Sequence, residues 1–267
     1  MNRGTSLPLR IFAGVFFFFL LAPIGVVVIA SFTNAHFVSF PPQGFSFRWY
    51  LDILRHPEFI SAFQVSIIIA SIVAPVSTIL SICVGYALTQ RGIRRSEAWV
   101  AFFSSPLMLP GVLLGLGTLQ FFAAAGLAGG PAGLVIGHVV VTVPYALRLV
   151  LIGFAGLDPA LPKAARTLGA GEFLTFVRII FPRIRSAALA GTAFAFIMSF
   201  DDVAISLFLS RPNLVPIPIA VFNYLDQSFG PVVTAVSSVL VLATALVVVV
   251  IERFYGVGRL FGAGEKR

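Results

Sequence analysis

The chain has 267 residues, 58% of them hydrophobic and only 10% charged, with a mean hydropathy of +1.02, whereas an ordinary soluble domain carries about 25% charged residues. That balance excludes a water-soluble globule. The net charge of +8 needs no nucleic acid to explain it, because the basic residues sort by side of a membrane, as counted below.

The apolar residues gather into runs of about 20, the helix length that crosses about 30 Å of hydrocarbon at 1.5 Å per residue. The first predicted span runs from Leu9 to Phe32. It is longer than a signal-peptide core, and Ile29-Ala30-Ser31-Phe32 is a poor cleavage context, so it reads as retained. A loop to Phe59 follows, in which Arg48-Trp49-Tyr50 suits an interfacial segment with its rings at headgroup level. The second span covers Ile60 to Leu88, and the basic turn Arg91-Gly92-Ile93-Arg94-Arg95 makes a hairpin into a third, Trp99 to Ala123. After a small-residue loop from Ala124 to Pro131, the fourth span runs from Ala132 to Phe154 and is expected to kink at Pro144. Gly156 to Ser186 is polar by the standards of this chain. A fifth span from Ala187 to Leu209, an uncharged turn region around Pro212 to Pro218, a sixth span from Pro231 to Ile251 and a basic tail complete it. The expected fold is all-α, a polytopic membrane protein with about six transmembrane helices in a single domain over 1–267.

Cys83 is the one cysteine, so no internal disulfide forms. His36, His56 and His138 lie far apart and have no second ligand at i+3 or i+4. No metal site is expected, and the three read as loop or interface residues.

Cytoplasmic loops carry the excess of lysine and arginine. One side holds fourteen: Arg3 and Arg10; Arg91, Arg94 and Arg95; Lys163, Arg166, Arg178, Arg183 and Arg185; Arg253, Arg259, Lys266 and Arg267. The other holds three, Arg48, Arg55 and Arg211, and Arg148 can snorkel from the cytoplasmic end of the fourth span. Both termini are therefore expected in the cytoplasm.

The longest cytoplasmic loop, 156–186, carries local signals. Asp158 followed by Pro159 is an N-cap with a first helical position, and Pro162 is tolerated in the first turn. Gly169 stops that helix by entering the left-handed region. Phe173, Phe176, Val177 and Ile180 then recur at helical spacing as the apolar face of a second short helix. From periodicity alone, this element reads first as an amphipathic loop on the membrane surface.

The letters add more. Lys163-Ala164-Ala165, three residues, Gly169, nine residues, then Ile179 and Pro182 resemble the signature of the permease subunits of bacterial ABC importers, Glu-Ala-Ala, Gly and Ile-x-Leu-Pro at the same spacing. Lys163 replaces the glutamate and Phe181 the leucine. From about Phe45 to Ile251 the chain is similar to the spermidine/putrescine-type permeases, above all in Ser199-Phe200-Asp201-Asp202-Val203. The resemblance implies a type I ABC importer permease fold, and it makes Lys163, Ala164, Ala165, Gly169, Ile179 and Pro182 the region that docks on a cytoplasmic ATPase dimer. It also implies a second related permease, a periplasmic or extracellular solute-binding protein, a bacterial inner membrane, and transport by alternating access. This chain is expected to bind no cofactor; ATP and Mg are handled by the ATPase. Its only lysines are Lys163 and Lys266, and neither sits in a phosphate-binding Gly-x-x-x-x-Gly-Lys-Ser/Thr loop.

Asp201 and Asp202 are the only carboxylates well inside a predicted span, where an acid costs at least about 2.5 kcal/mol. Either one faces the path and meets a cationic substrate, or the pair belongs to a hydrogen-bonded break in the fifth helix. On a continuous helix Gly191, Ala195, Ser199, Asp202 and Ser206 form a small, polar stripe within about 80°, whereas Asp201 points about 100° away among Ala190, Phe194, Ile197 and Phe208. This favours Asp202 for the path, with Ser199 and Ser206 beside it, and Asp201 for a contact with a neighbouring helix. A polyamine or similar small cation is the expected substrate, with ferric iron, phosphonate, thiamine or opine as alternatives within the family. A secondary transporter, which would work without an ATPase, is a further alternative, although no internal repeat is evident. An intramembrane aspartyl protease would need two carboxylates converging from different elements, and adjacent residues diverge.

Overall fold

Inside hydrocarbon the backbone has no water to bond with, so each spanning segment satisfies its own N–H and C=O groups as a helix. The computed structural model describes residues 7–126, 130–227 and 230–255. Arg3, the tail residues Arg259, Lys266 and Arg267, and the middle of the small-residue loop before Pro131 lie outside the described residues. Helices follow one another as α1 (Leu7–Ala30), α2 (Arg48–Asp52), α3 (Pro57–Gln90), α4 (Ser96–Ser104), α5 (Gly111–Ala124), α6 (Pro131–Ala155), α7 (Ala160–Thr167), α8 (Glu172–Thr175), α9 (Phe181–Phe200), α10 (Ala204–Leu209), α11 (Ile217–Gln227) and α12 (Pro231–Tyr255). Among the described residues the only β pairing is one isolated bridge, Arg211 with Leu214.

Four of these are long and apolar enough to cross a membrane, namely α1, α3, α6 and α12, and α4 with α5 would count as a fifth if that bent pair is one span. Two of the expected spans are interrupted. The third is bent by 102°, because Pro110 has no N–H to donate and holds Leu109 extended at φ −92°, ψ 139°. The fifth is divided into α9 and α10 at residues 201–203, and α9 opens with Arg183 and Arg185. The expected turn around Pro212 to Pro218 gives way at Ile217 to α11, a helix that was not foreseen. The fourth span is helical on both sides of Pro144.

The described residues fall into two compact units, one taking those up to Ile60 with Ala220–Ala245, the other Ser61–Ile219 and those from Leu246. In the first, α1 presents Phe12, Phe16, Phe17, Phe18 and Phe19 outward, as a helix with lipid for solvent does. The segment expected at the interface is tied down within the chain. Trp49 is buried with its indole N–H donating to the Thr33 carbonyl at 2.9 Å, and the Tyr50 hydroxyl lies 2.6 Å from that of Ser31.

In the second unit α6 is the spine. It packs along α9, with Ala74, Ala146 and Ala195 forming a small-residue layer, and small side chains are what allow helices to approach closely in lipid. Val150 and Phe154 of α6 pack with Ile180 and Ile184 towards the polar loop, while Leu134 packs with Ile69, Val73, Phe122, Ile205 and Leu209 near the other end. Hydroxyls bridge the helices between these layers: Ser77 to Thr142 at 2.7 Å and Thr78 to Thr192 at 2.9 Å.

Candidate functional site at the break in the fifth span

Ser199 lies in the last turn of α9, Asp201 and Asp202 occupy the break, and Ser206 lies on α10. A helix of six residues cannot sustain itself by its own hydrogen bonds, so α10 is held from outside. Asp202 Oδ2 accepts from the amides of Ile205 at 2.9 Å and Ser206 at 3.0 Å, which satisfies two N–H groups that the broken helix leaves open. Glycines give α10 its seat. A Cβ at Gly115 of α5 would lie 2.5 Å from the Ala204 carbonyl oxygen, and one at Gly137 of α6 would lie 2.7 Å from Leu209 and 2.8 Å from Ile205.

His138 stands where these pieces meet. It is buried, 1% exposed, with Nδ1 at 2.8 Å from the Ser199 hydroxyl and Nε2 at 3.1 Å from that of Ser206. Asp202 Oδ2 is 3.8 Å from Nε2. The expectation that His138 is a loop or interface residue is therefore corrected: its ring is a buried bridge. Thr142, one helical turn away on α6, donates to the His138 carbonyl, and two polar residues at i and i+4 in an apolar run were the signal that sequence reading passed over.

Ser199, Asp202 and Ser206 are thus brought together as the polar stripe expected, but around an imidazole in the packed interior. The wheel that ranked Asp202 above Asp201 assumed an uninterrupted helix, and the break removes its ground. Asp201 is the exposed carboxylate, while the Asp202 side chain is 11% exposed. Among the described residues no group of three or more histidine, cysteine, aspartate or glutamate side chains could hold a metal ion.

The polar loop forms the helix-turn-helix expected of it. Asp158 Oδ1 accepts from the Ala160 amide at 2.8 Å, and Gly169 takes φ +84°. The turn closes with the Ala170 amide on the Ala165 carbonyl, 3.0 Å. Lys163, Ala164, Gly169 and Pro182 are exposed, and Ala165 and Ile179 half-buried. The second helix is not short or separate: α8, a π-helical turn over Phe176–Ile180 and α9 run on without interruption from Glu172 to Phe200, about 40 Å at 1.5 Å per residue. Pro182 supplies the physical reason for the wide turn, since its ring clashes with a carbonyl four residues earlier. The turn also changes the phase of the expected apolar face, leaving Phe173 and Val177 exposed and Phe176 and Ile180 turned inward. Arg91, beyond the end of α3, pairs with Glu172, so the basic turn and the polar loop lie on one side of this unit.

Residues 77–257 match the family described as the binding-protein-dependent transport system inner membrane component. The chain is 32% identical over 238 residues to the putrescine transport system permease protein PotI of Escherichia coli K12, covering 86% of this chain and 84% of that one. It is 26% identical over 231 residues to the spermidine/putrescine transport system permease protein PotC of the same organism, with coverages of 86% and 87%. The fold is similar to a chain in the crystal structure of a bacterial ABC transporter involved in import of the acidic polysaccharide alginate, at a TM-score of 0.73 and 17% identity over 95% of this chain and 100% of that one. The chain therefore belongs to the inner membrane permease components of binding-protein-dependent ABC transport systems, a transport subunit whose ATPase is a separate subunit.

Proposed function

We propose that this subunit forms half of a translocation path for polyamines such as putrescine and spermidine, with the break at Asp201 and Asp202 on that path. The observation that carries the reading is the exposed carboxylate of Asp201 at a helix break, in a chain whose relatives are putrescine and spermidine/putrescine permeases. A protonated amine within about 4 to 6 Å keeps such a carboxylate ionised, and a transient contact suits a path that must also release its cargo. Asp202, Ser199 and Ser206 shape the break beside it.

The loop 156–186 is the proposed coupling element, seating Lys163, Ala164, Ala165 and Gly169 on an ATPase dimer that uses ATP and Mg, with Ile179 and Pro182 at the wide turn within the rod that runs from Glu172 to Phe200. Movement of the turn is then delivered along that rod to the break. The proposed assembly adds a second related permease, giving a heterodimer, and an external solute-binding protein. Both termini are cytoplasmic, a reading supported by the asymmetry of fourteen basic residues to three.

The test is to purify the tagged chain with its partners and measure ATP hydrolysis stimulated by binding protein loaded with putrescine or spermidine. Stimulation by these ligands and uptake of the labelled amines are expected. Stimulation only by ferric iron, phosphonate, thiamine or opine would overturn the polyamine assignment, and uptake without the ATPase would overturn the ABC mechanism.

A further inference from the structure

The break in the fifth span is bridged by one ring from another helix. His138 reaches Ser199 on the α9 side and Ser206 on the α10 side. A neutral imidazole has one N–H donor and one acceptor, and the environment of each nitrogen decides which is which. Asp202 Oδ2, 3.8 Å from Nε2, would repel a lone pair there and favours a proton. Nε2 therefore donates to the Ser206 hydroxyl, and Nδ1 accepts from that of Ser199. The titratable groups at the break are Asp202, which faces Nε2, and Asp201, which points outward.

His138 is itself well anchored. Thr142, on the next turn, bonds to both the His138 carbonyl and Ser77 of α3. Beside it, Gly137 allows α10 to approach the α6 backbone with no room for a Cβ. Phe200, the last residue of α9, packs against Phe63 of α3 and Phe196, with ring centroids 5.7 and 6.0 Å away. Both sides of the break thus rest on neighbouring helices, but among the described residues only the imidazole is seen to bond to a side chain on each side.

We infer that His138 is a positioning residue for transport: its ring clamps α9 to α10 across the break and so sets where the Asp201 carboxylate stands. The transport role rests on the reading that the break lies on the path; the clamp itself does not. Loss of the clamp frees the two helix ends relative to each other while the packing of α6 along α9 remains.

The test uses the full importer in nanodiscs, with Cys83→Ser and spin labels on cysteines at Phe194 of α9 and Leu207 of α10, both exposed. The distance distribution should be narrow with His138 present and broad in His138→Leu, which fills similar volume and makes neither bond. His138→Gln retains a donor for Ser206 and should fall between. Uptake of labelled putrescine at saturating concentration should drop about tenfold in His138→Leu, the effect of losing roughly two buried hydrogen bonds, with assembled complex at normal abundance. A distribution that stays narrow in His138→Leu overturns the clamp, and one that broadens while uptake stays normal overturns its role in transport. Normal uptake by Asp201→Asn, beside a broadened and slowed His138→Leu, would instead remove the path reading and leave the clamp standing.

Discussion

Gly153 on α6 faces Ala187 on α9 so closely that a Cβ added to the glycine would lie 2.6 Å from that of the alanine. About two turns away along α6, and one along α9, the same two helices meet again, where a Cβ at Gly191 would lie 3.3 Å from the Ala146 carbonyl oxygen. Gly153→Val should push α6 and α9 apart and destabilise the subunit by about 1–3 kcal/mol, the usual range for overpacking. A lower melting temperature and reduced abundance in the membrane are expected. Gly117→Ala, where nothing lies within 4 Å, is the control and should be neutral. An unchanged melting temperature for Gly153→Val would mean that the helices are not in this contact.

The turn at Gly169, proposed to dock on the ATPase, makes a separate demand. Gly169 stands at φ +84°, where a side chain is strained by about 1–2 kcal/mol. Gly169→Leu should lose ligand-stimulated ATP hydrolysis while leaving the chain in the membrane, and unchanged hydrolysis with normal co-purification of the ATPase would rule out the docking role. Lys163→Glu restores the residue of the family signature at an exposed position and should be tolerated. Complete loss of transport would instead reveal an acidic partner on the ATPase matched to Lys163.

Topology is open to labelling. With Cys83→Ser as background, a cysteine introduced at the exposed Gly171 should be shielded from an impermeant thiol reagent added outside intact cells and should react once the cells are opened. Reaction from outside would reverse the orientation inferred from charge.

The two aspartates should separate by chemistry. Asp201→Asn removes an exposed charge and is expected to cut uptake of labelled polyamine about tenfold or more, with assembly intact, the loss of one charge-assisted contact being about 1.5–3 kcal/mol. Asp202→Asn keeps an oxygen able to accept from the Ile205 and Ser206 amides and should be milder, whereas Asp202→Ala removes that cap at about 1 kcal/mol and should lower stability. Larger transport loss in Asp202→Asn than in Asp201→Asn, at equal abundance, would return the path role to Asp202.

What the sequence determined by itself was whatever depends on local composition. Long apolar runs without charge identified the spanning helices of α3, α6 and α12 to within a few residues, because lipid permits hardly any other backbone state. The Asp158 cap and the Gly169 turn were legible for the same reason, each being decided by the few residues that make it. Tertiary structure decided the rest. A helix wheel drawn through Asp201 and Asp202 could not know that the fifth span stops there, since the stop is made by glycines of α5 and α6 that seat α10 and by a carboxylate turned back on its own amides. Spacing along the chain marks His138 with Thr142 as a polar pair but could not supply its partners Ser199 and Ser206, more than sixty residues away. Hydrogen bonds between distant residues exist only once the helices carrying them have packed.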